Sequence, residues 1–141
     1  MIIKQLSVFL EDKTGRLTEL TGILAENDIN ISAFTVAEAS DYGILRLIVG
    51  RPELALKVLK ENGFSVNTTE VICIVVPHKP GGLHQALKIL SSNNVSIDYM
   101  YAFALENSAS VVFSPSSVNE AIEVLQNNKM ELLRTSQIYQ I

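Results

Sequence analysis

Slid along itself, the chain comes into register at an offset of 66 residues, and this duplication restricts its possible folds more than any other feature. At that offset Lys13 meets Lys79, Gly15 meets Gly81, Leu17 meets Leu83 and Ile23-Leu24 meet Ile89-Leu90. Asn27 then meets Asn93, and Ile31 meets Ile97. The register continues without a gap through Ala55 and Ala121, Val58 and Val124, Leu59 and Leu125, and Asn62 and Asn128. The period exceeds the roughly 20–50 residues of solenoid repeats, and only two copies are present. Each copy must therefore be a small domain, expected at residues 1–68 and 69–141.

Within the first copy, Leu6, Val8 and Leu10 alternate with Gln5, Ser7 and Phe9, the period of a strand. From Gly15 to Asn27, Leu17, Leu20, Ile23 and Leu24 share one helical face. Asn27-Asp28 reads as a turn, 30–39 as a strand, Ser40-Asp41 as a second turn and Ile44–Val49 as a strand. Pro52 opens a second helix, and Asn62-Gly63 closes it with a left-handed glycine. A last strand starts near Phe64. The second copy repeats the series with strand Val71–Val76, helix Gly81–Asn93, and a hairpin of Ile97–Leu105 and Ser110–Phe113 around Glu106-Asn107. Its second helix follows a capping box of Ser117 and Glu120, and Met130–Tyr139 is the expected final strand. The order βαββαβ, twice, predicts an α+β protein of two ferredoxin-like modules. Each is an antiparallel sheet with both helices on one face.

Val71–Val76 is apolar on both faces, and Ile44 and Ile48 load the outer side of their strand. Helices cover only one side, so the outer side is expected to pack against a second chain as a homodimer, or against the other module. Hydrophobic residues make up 48% of the chain, enough for a packed core. The single cysteine, Cys73, lies in an apolar run and reads as a buried thiol in a reducing cytoplasm. No stretch approaches the ~18 apolar residues of a membrane span, so no membrane partner is expected.

A net charge of −4 argues against nucleic acid. RNA-recognition motifs share the βαββαβ order but stack bases on aromatic residues, and the corresponding strands here carry only Phe9 and Phe113. His78 and His84 have no counterparts in the first copy and no metal-ligand spacing. No nucleophile-elbow motif is present, so no catalytic residue, metal or cofactor is expected. More informative are the two strand-to-helix turns, Glu11-Asp12-Lys13-Thr14-Gly15-Arg16-Leu17 and Pro77-His78-Lys79-Pro80-Gly81-Gly82-Leu83. A helix start offers unpaired N–H groups and a positive dipole end, and glycine lets a carboxylate approach the backbone. The alternative is that Gly15 and Gly81 serve only the tight turn.

Asp-Lys-Thr-Gly-Arg-Leu, followed by Leu-Thr-Gly-Ile-Leu-Ala-Glu-Asn-Asp-Ile-Asn-Ile, resembles the ACT domain. His-Lys-Pro-Gly-Gly-Leu through Asn-Asn-Val-Ser-Ile is similar, so the resemblance covers nearly the whole chain. It implies modules that bind amino acids or related small effectors, regulate metabolic enzymes and pair side by side into an eight-stranded sheet. It also implies a ligand loop of Asp12, Thr14, Gly15 and Arg16, with Asn30 beside it. The matching set is His78, Pro80, Gly81, Gly82 and Leu83, with Ser96 in place of Asn30. Thr14 replaces the family's proline, His78 its acidic residue and Ser96 its Asn, so the two sites are not equivalent. The expected function is a small-molecule-binding regulatory protein, not an enzyme, acting in trans on metabolism. The alternatives are a regulatory or interaction subunit of a biosynthetic enzyme with degenerate ligand loops, and a small enzyme using His78 or His84.

Overall fold

Alternating apolar residues on paired strands put one face of a sheet under helices. The computed structural model describes residues 1–11, 15–38, 41–105 and 107–139. Asp12, Thr14, Ser40 and Glu106, each placed in a turn or loop from sequence, lie outside the described residues. Strand β1 (Ile3–Glu11) leads to helix α1 (Arg16–Glu26), strands β2 (Ile31–Glu38) and β3 (Tyr42–Val49), helix α2 (Pro52–Glu61) and strand β4 (Ser65–Pro77). Then come α3 (Gly82–Ser92), β5 (Ile97–Leu105), β6 (Ser108–Pro115), α4 (Val118–Asn127), a two-residue β7 (Glu131–Leu132) and a short α5 (Thr135–Ile138).

The chain divides into a first unit of Lys4–Thr69 with Ser136–Ile141 and a second of Met1–Ile3 with Glu70–Thr135. Strand order is β2-β3-β1-β4 in the first and β5-β6-β4-β7 in the second, the ferredoxin-like α+β arrangement each time. Antiparallel pairing sets Leu6 opposite Leu47 and Val8 opposite Leu45, and likewise Ile72 opposite Phe113 and Ile74 opposite Val111. Seven strands are present among the described residues where eight were expected. Val66–Glu70 carries two threonines and no glycine or proline, so nothing interrupts the pleat and β4 runs unbroken from Ser65 to Pro77.

The core is duplicated nearly position by position. Leu6, Val8, Leu10, Leu24, Leu45, Ala55 and Leu59 form one cluster; Ile72, Ile74, Val76, Leu90, Val111, Ala121 and Leu125 take the same places in the other. Leu20 and Leu47 become Ala86 and Phe113, trading volume within the same core. All four long helices end alike. Asn27, Asn62, Asn93 and Asn128 each donate a side-chain N–H to the carbonyl four residues back, at 2.7–2.8 Å. Each next residue (Asp28, Gly63, Asn94, Lys129) adopts positive φ, so Gly63 is the left-handed cap expected from sequence.

A further expectation is corrected. The final strand does not reach Tyr139. Only Glu131 and Leu132 pair with β4; Leu133 N–H donates to the Cys73 carbonyl, and the polar Thr135-Ser136-Gln137 run turns into α5. That run lacks the alternating apolar residues a half-buried strand needs. Tyr139 instead joins the first unit, where its hydroxyl accepts the Lys4 backbone N–H at 3.2 Å. On the side of the strands away from the helices, Gln5, Ile48, Val71 and Cys73 are fully buried, as the apolar pattern of Val71–Val76 and of Ile48 leads one to expect. Phe9 and Tyr42, stacked at 4.4 Å between ring centroids, remain exposed on the outer face of the first unit.

Candidate functional site

In the second unit, β4 ends at Pro77 and α3 starts at Gly82, so the chain must reverse within four residues. Gly81 makes this possible at φ 89°, a left-handed value that costs glycine no Cβ clash. Three backbone bonds hold the turn. Lys79 N–H donates to the Pro77 carbonyl (2.9 Å) and Gly82 N–H to the Lys79 carbonyl (3.1 Å). His78 N–H donates to the Asn107 carbonyl (2.9 Å), tying the turn to the end of the β5–β6 hairpin. The packing is close enough that a Cβ on Gly82 would overlap the Pro77 carbonyl oxygen.

No side chain caps α3. Gln85 N–H reaches the Gly81 carbonyl, while the N–H groups of Leu83 and His84 take no acceptor among the described residues. These are the donors that a helix start leaves over, at the positive end of its dipole. Next to them lies an open pocket of about 270 Å³, lined by Val76, Pro77, His78, Lys79, Leu83, Ala102, Phe103, Ala104, Ala109 and Val111. The site thus joins an apolar wall to a basic, donor-rich mouth. Sequence reading placed His78 and Leu83 in it but missed Ala102, Ala104, Ala109 and Val111. The available signal was the run of small residues at alternate positions of β5 and β6, where the first copy carries Val36, Glu38, Gly43 and Leu45.

The first unit is built differently. Gly15 again has positive φ, 95°, and α1 again lacks a side-chain cap. Where Gly82 stands in the second unit, the first has Arg16, whose guanidinium lies 3.8 Å over the Phe64 ring and bonds Glu19 at 3.0 Å. Arg16 is therefore engaged with its own unit through a cation–π contact and an ion pair. Val36 Cγ1 lies 3.9 Å from where a Gly43 Cβ would stand, occupying space that alanines leave open in the second unit.

Asn30 and Ser96 do not join either turn. Ile31 pairs with Val49 while Glu11 pairs with Tyr42, seven positions away along β3. At roughly 3.3 Å per residue that is about 23 Å, so Asn30 lies at the opposite end of the sheet from Gly15. The register Ile97 with Pro115 and Pro77 with Ser108 does the same to Ser96. Both carry an equivalent structural bond, from Gly50 N–H to the Asn30 carbonyl (3.0 Å) and from Ser116 N–H to the Ser96 carbonyl (2.8 Å).

Among the described residues no group of three His, Cys, Asp or Glu side chains is placed to hold a metal ion. Burial pushes the Cys73 thiol up to about 12, so it stays protonated and unreactive. No described helix is long and apolar enough to cross a membrane.

A family-wide sequence profile described as an ACT domain pair matches residues 1–141. The chain belongs to the ACT domain pair family. A solved protein from Bacteroides thetaiotaomicron is 50% identical to this ACT pair over 100% of this chain and 98% of its own, with a TM-score of 0.97. The regulatory subunit of aspartate kinase from Thermus thermophilus, in a ligand-free form, shares the fold at TM-score 0.65 and 16% identity, covering 88% of this chain and 91% of that one. Its counterpart from Thermus flavus gives 0.63 at 14% identity, covering 88% and 90%. Comparison with curated proteins finds no match.

Proposed function

We propose that this ACT pair is a non-catalytic regulatory protein that binds a small effector, an amino acid or a related acid, and acts in trans on metabolism. The observation that carries the reading is the 270 Å³ pocket against the uncapped start of α3, with His78 and Lys79 at its mouth. A carboxylate fits the free N–H groups and the Lys79 ammonium, and a short side chain fits the alanine wall. In the first unit Val36 and Glu38 stand where Ala102 and Ala104 line this pocket, which favours the second unit as the principal site.

We also propose a homodimer. β2 and β5 end their strand orders, and Phe34 (62% exposed) and Met100 (43% exposed), equivalent in the repeat, stand on these edges. Edge strands carrying exposed apolar side chains favour pairing with another copy. The proposed compartment is a reducing cytoplasm, on the strength of the lone buried Cys73.

A thermal-shift series with each amino acid and its keto acid tests the reading. A ligand at ~100 times its Kd adds about 2.7 kcal/mol of stability. Stabilisation by one compound or a small related group is expected; none by any would contradict the proposal. The second reading, a regulatory subunit of a biosynthetic enzyme with degenerate loops, is favoured by the fold shared with aspartate kinase regulatory subunits. Co-purification of a catalytic chain without bound effector would select it.

A further inference from the structure

All four long helices close on an asparagine whose side-chain N–H holds the carbonyl four residues back. Their backbones match, with φ from −97° to −109° and ψ from 13° to 18°. The residue that follows differs. Asp28, Asn94 and Lys129 follow Asn27, Asn93 and Asn128, whereas Gly63 follows Asn62. Of the chain's asparagines, Asn62 alone precedes a glycine. A backbone nitrogen with no Cβ beside it can approach the preceding side chain closely. Asn62 and Gly63 are both exposed, so water reaches the pair. The repeat thus supplies one reactive cap and three controls of the same geometry.

We propose that Asn62-Gly63 is a site of spontaneous covalent modification, at which the folded protein loses the Asn62 amide when the last turn of α2 opens, and that the product cannot rebuild the cap. In this step the Gly63 backbone nitrogen bonds to the Asn62 side-chain carbonyl carbon, and the bond from that carbon to the amide nitrogen breaks. The amide nitrogen leaves as ammonia, taking up the Gly63 amide proton. Water then opens the cyclic imide at either carbonyl and leaves an aspartate or its β-linked isomer. Water is the only co-reactant.

The closed cap restrains both partners. The Asn62 amide donates to the Val58 carbonyl at 2.7 Å, and the Gly63 N–H donates to the Lys60 carbonyl at 3.1 Å. Ring closure needs both bonds released, and a helix end opens at far less cost than a whole domain. Afterwards a carboxylate stands where the amide was. It has no N–H to give to Val58, and it places negative charge at the negative end of the helix dipole. The damage reaches the core of the first unit. Phe64, buried and next in the chain, is held by its own N–H to the Leu59 carbonyl (3.0 Å) and carries the Arg16 guanidinium on its ring.

Incubating the intact chain at mildly alkaline pH, with peptide mass spectrometry following the conversion of each asparagine, tests this. Asn62 should convert at least about tenfold faster than Asn27, Asn93 or Asn128. It should convert about ten- to a thousandfold more slowly than in urea, the range of a local opening rather than of global unfolding. Gly63→Asn gives α2 the cap of the second copy, where Asn94 holds φ 59°, and should slow Asn62 by at least about tenfold. Asn62→Asp should show an unfolding equilibrium constant about two- to fivefold larger than Asn62→Ala, which loses the donor without adding a charge. Aged wild-type protein, separated by its extra negative charge on ion exchange, should be destabilised in the same way, so the result does not depend on one variant folding. Conversion of Asn27, Asn93 or Asn128 as fast as Asn62 would overturn the inference, as would conversion of Asn62 undiminished by folding or by Gly63→Asn. Conversion only as often as the whole chain unfolds would overturn the local opening. Asn62→Asp and aged protein as stable as Asn62→Ala would show that the charge leaves the cap no worse, contradicting the proposal.

Discussion

Replacing Gly82 by alanine should destabilise the protein, whereas the same replacement at Gly22 should stabilise it. At Gly82 the added Cβ would overlap the Pro77 carbonyl oxygen, a backbone atom that cannot rotate away. Relief requires moving Pro77 through Lys79, a segment held by the bonds of Lys79 to Pro77, Gly82 to Lys79 and His78 to Asn107. Forcing extra atoms into such a site costs about 1–3 kcal/mol. At Gly22, on the exposed side of α1, nothing lies within 4 Å of the new Cβ, and alanine is the better helix former by about 0.5–1 kcal/mol. The difference between the variants is then roughly 1.5–4 kcal/mol. Urea unfolding followed by circular dichroism would measure it, with equal m-values required for the comparison. A Gly82→Ala variant as stable as wild type would refute the close approach of turn and helix, and with it the geometry of the pocket mouth.

Four further outcomes follow from the structure. Cys73 should resist iodoacetamide in the native protein at neutral pH and react once unfolded, read by mass spectrometry; its thiol is raised to about 12 by burial, so its contribution to stability is full below pH 9 and falls as pH rises from 9 toward 12, where the unfolded thiol ionises first. Ser117→Ala should cost about 1 kcal/mol in urea unfolding, because the Ser117 hydroxyl accepts the Glu120 N–H at the start of α4. Leu59→Ala should cost about 2–5 kcal/mol, whereas Ala86→Leu should cost about 1–3 kcal/mol from overpacking, since Phe113 in the place of Leu47 already makes up for the volume that Leu20 supplies in the other core. Glu53 is held below its ordinary range by its hydrogen bond from Lys4 at 2.7 Å, so the pair's contribution is present above the unfolded carboxylate range and is lost as pH falls through the lowered value; Lys4→Ala should flatten that acid limb.

The repeat and the alternation of Leu6, Val8 and Leu10 made the module order legible, because strand and helix periods are local properties of a sequence. Helix ends were legible too, since Asn62-Gly63 carries the chemistry of its own cap. The fate of Met130–Tyr139 was not, because two residues of pairing followed by a change of unit depend on partners far away in the chain. Asn30 shows the same limit at the site. Its motif neighbours Gly15 in sequence, yet an 11-residue helix carries the chain to the other end of the sheet before β2 begins. The alanines of β5 and β6 look inert in isolation. Their meaning appears only when the sheet brings them beneath the turn at His78 and when Val36 and Glu38 are seen at their counterparts.

Backbone ¹⁵N–¹H chemical-shift mapping during titration with the compound that stabilises the chain most tests the central claim directly. The account predicts saturable shifts concentrated at His78–Ala86 and at Ala102–Val111, with those of Leu83 and His84 among the largest and the turn at Gly15–Arg16 little changed. Shifts confined to the first unit, or no saturable shifts with any amino acid or keto acid, would contradict it.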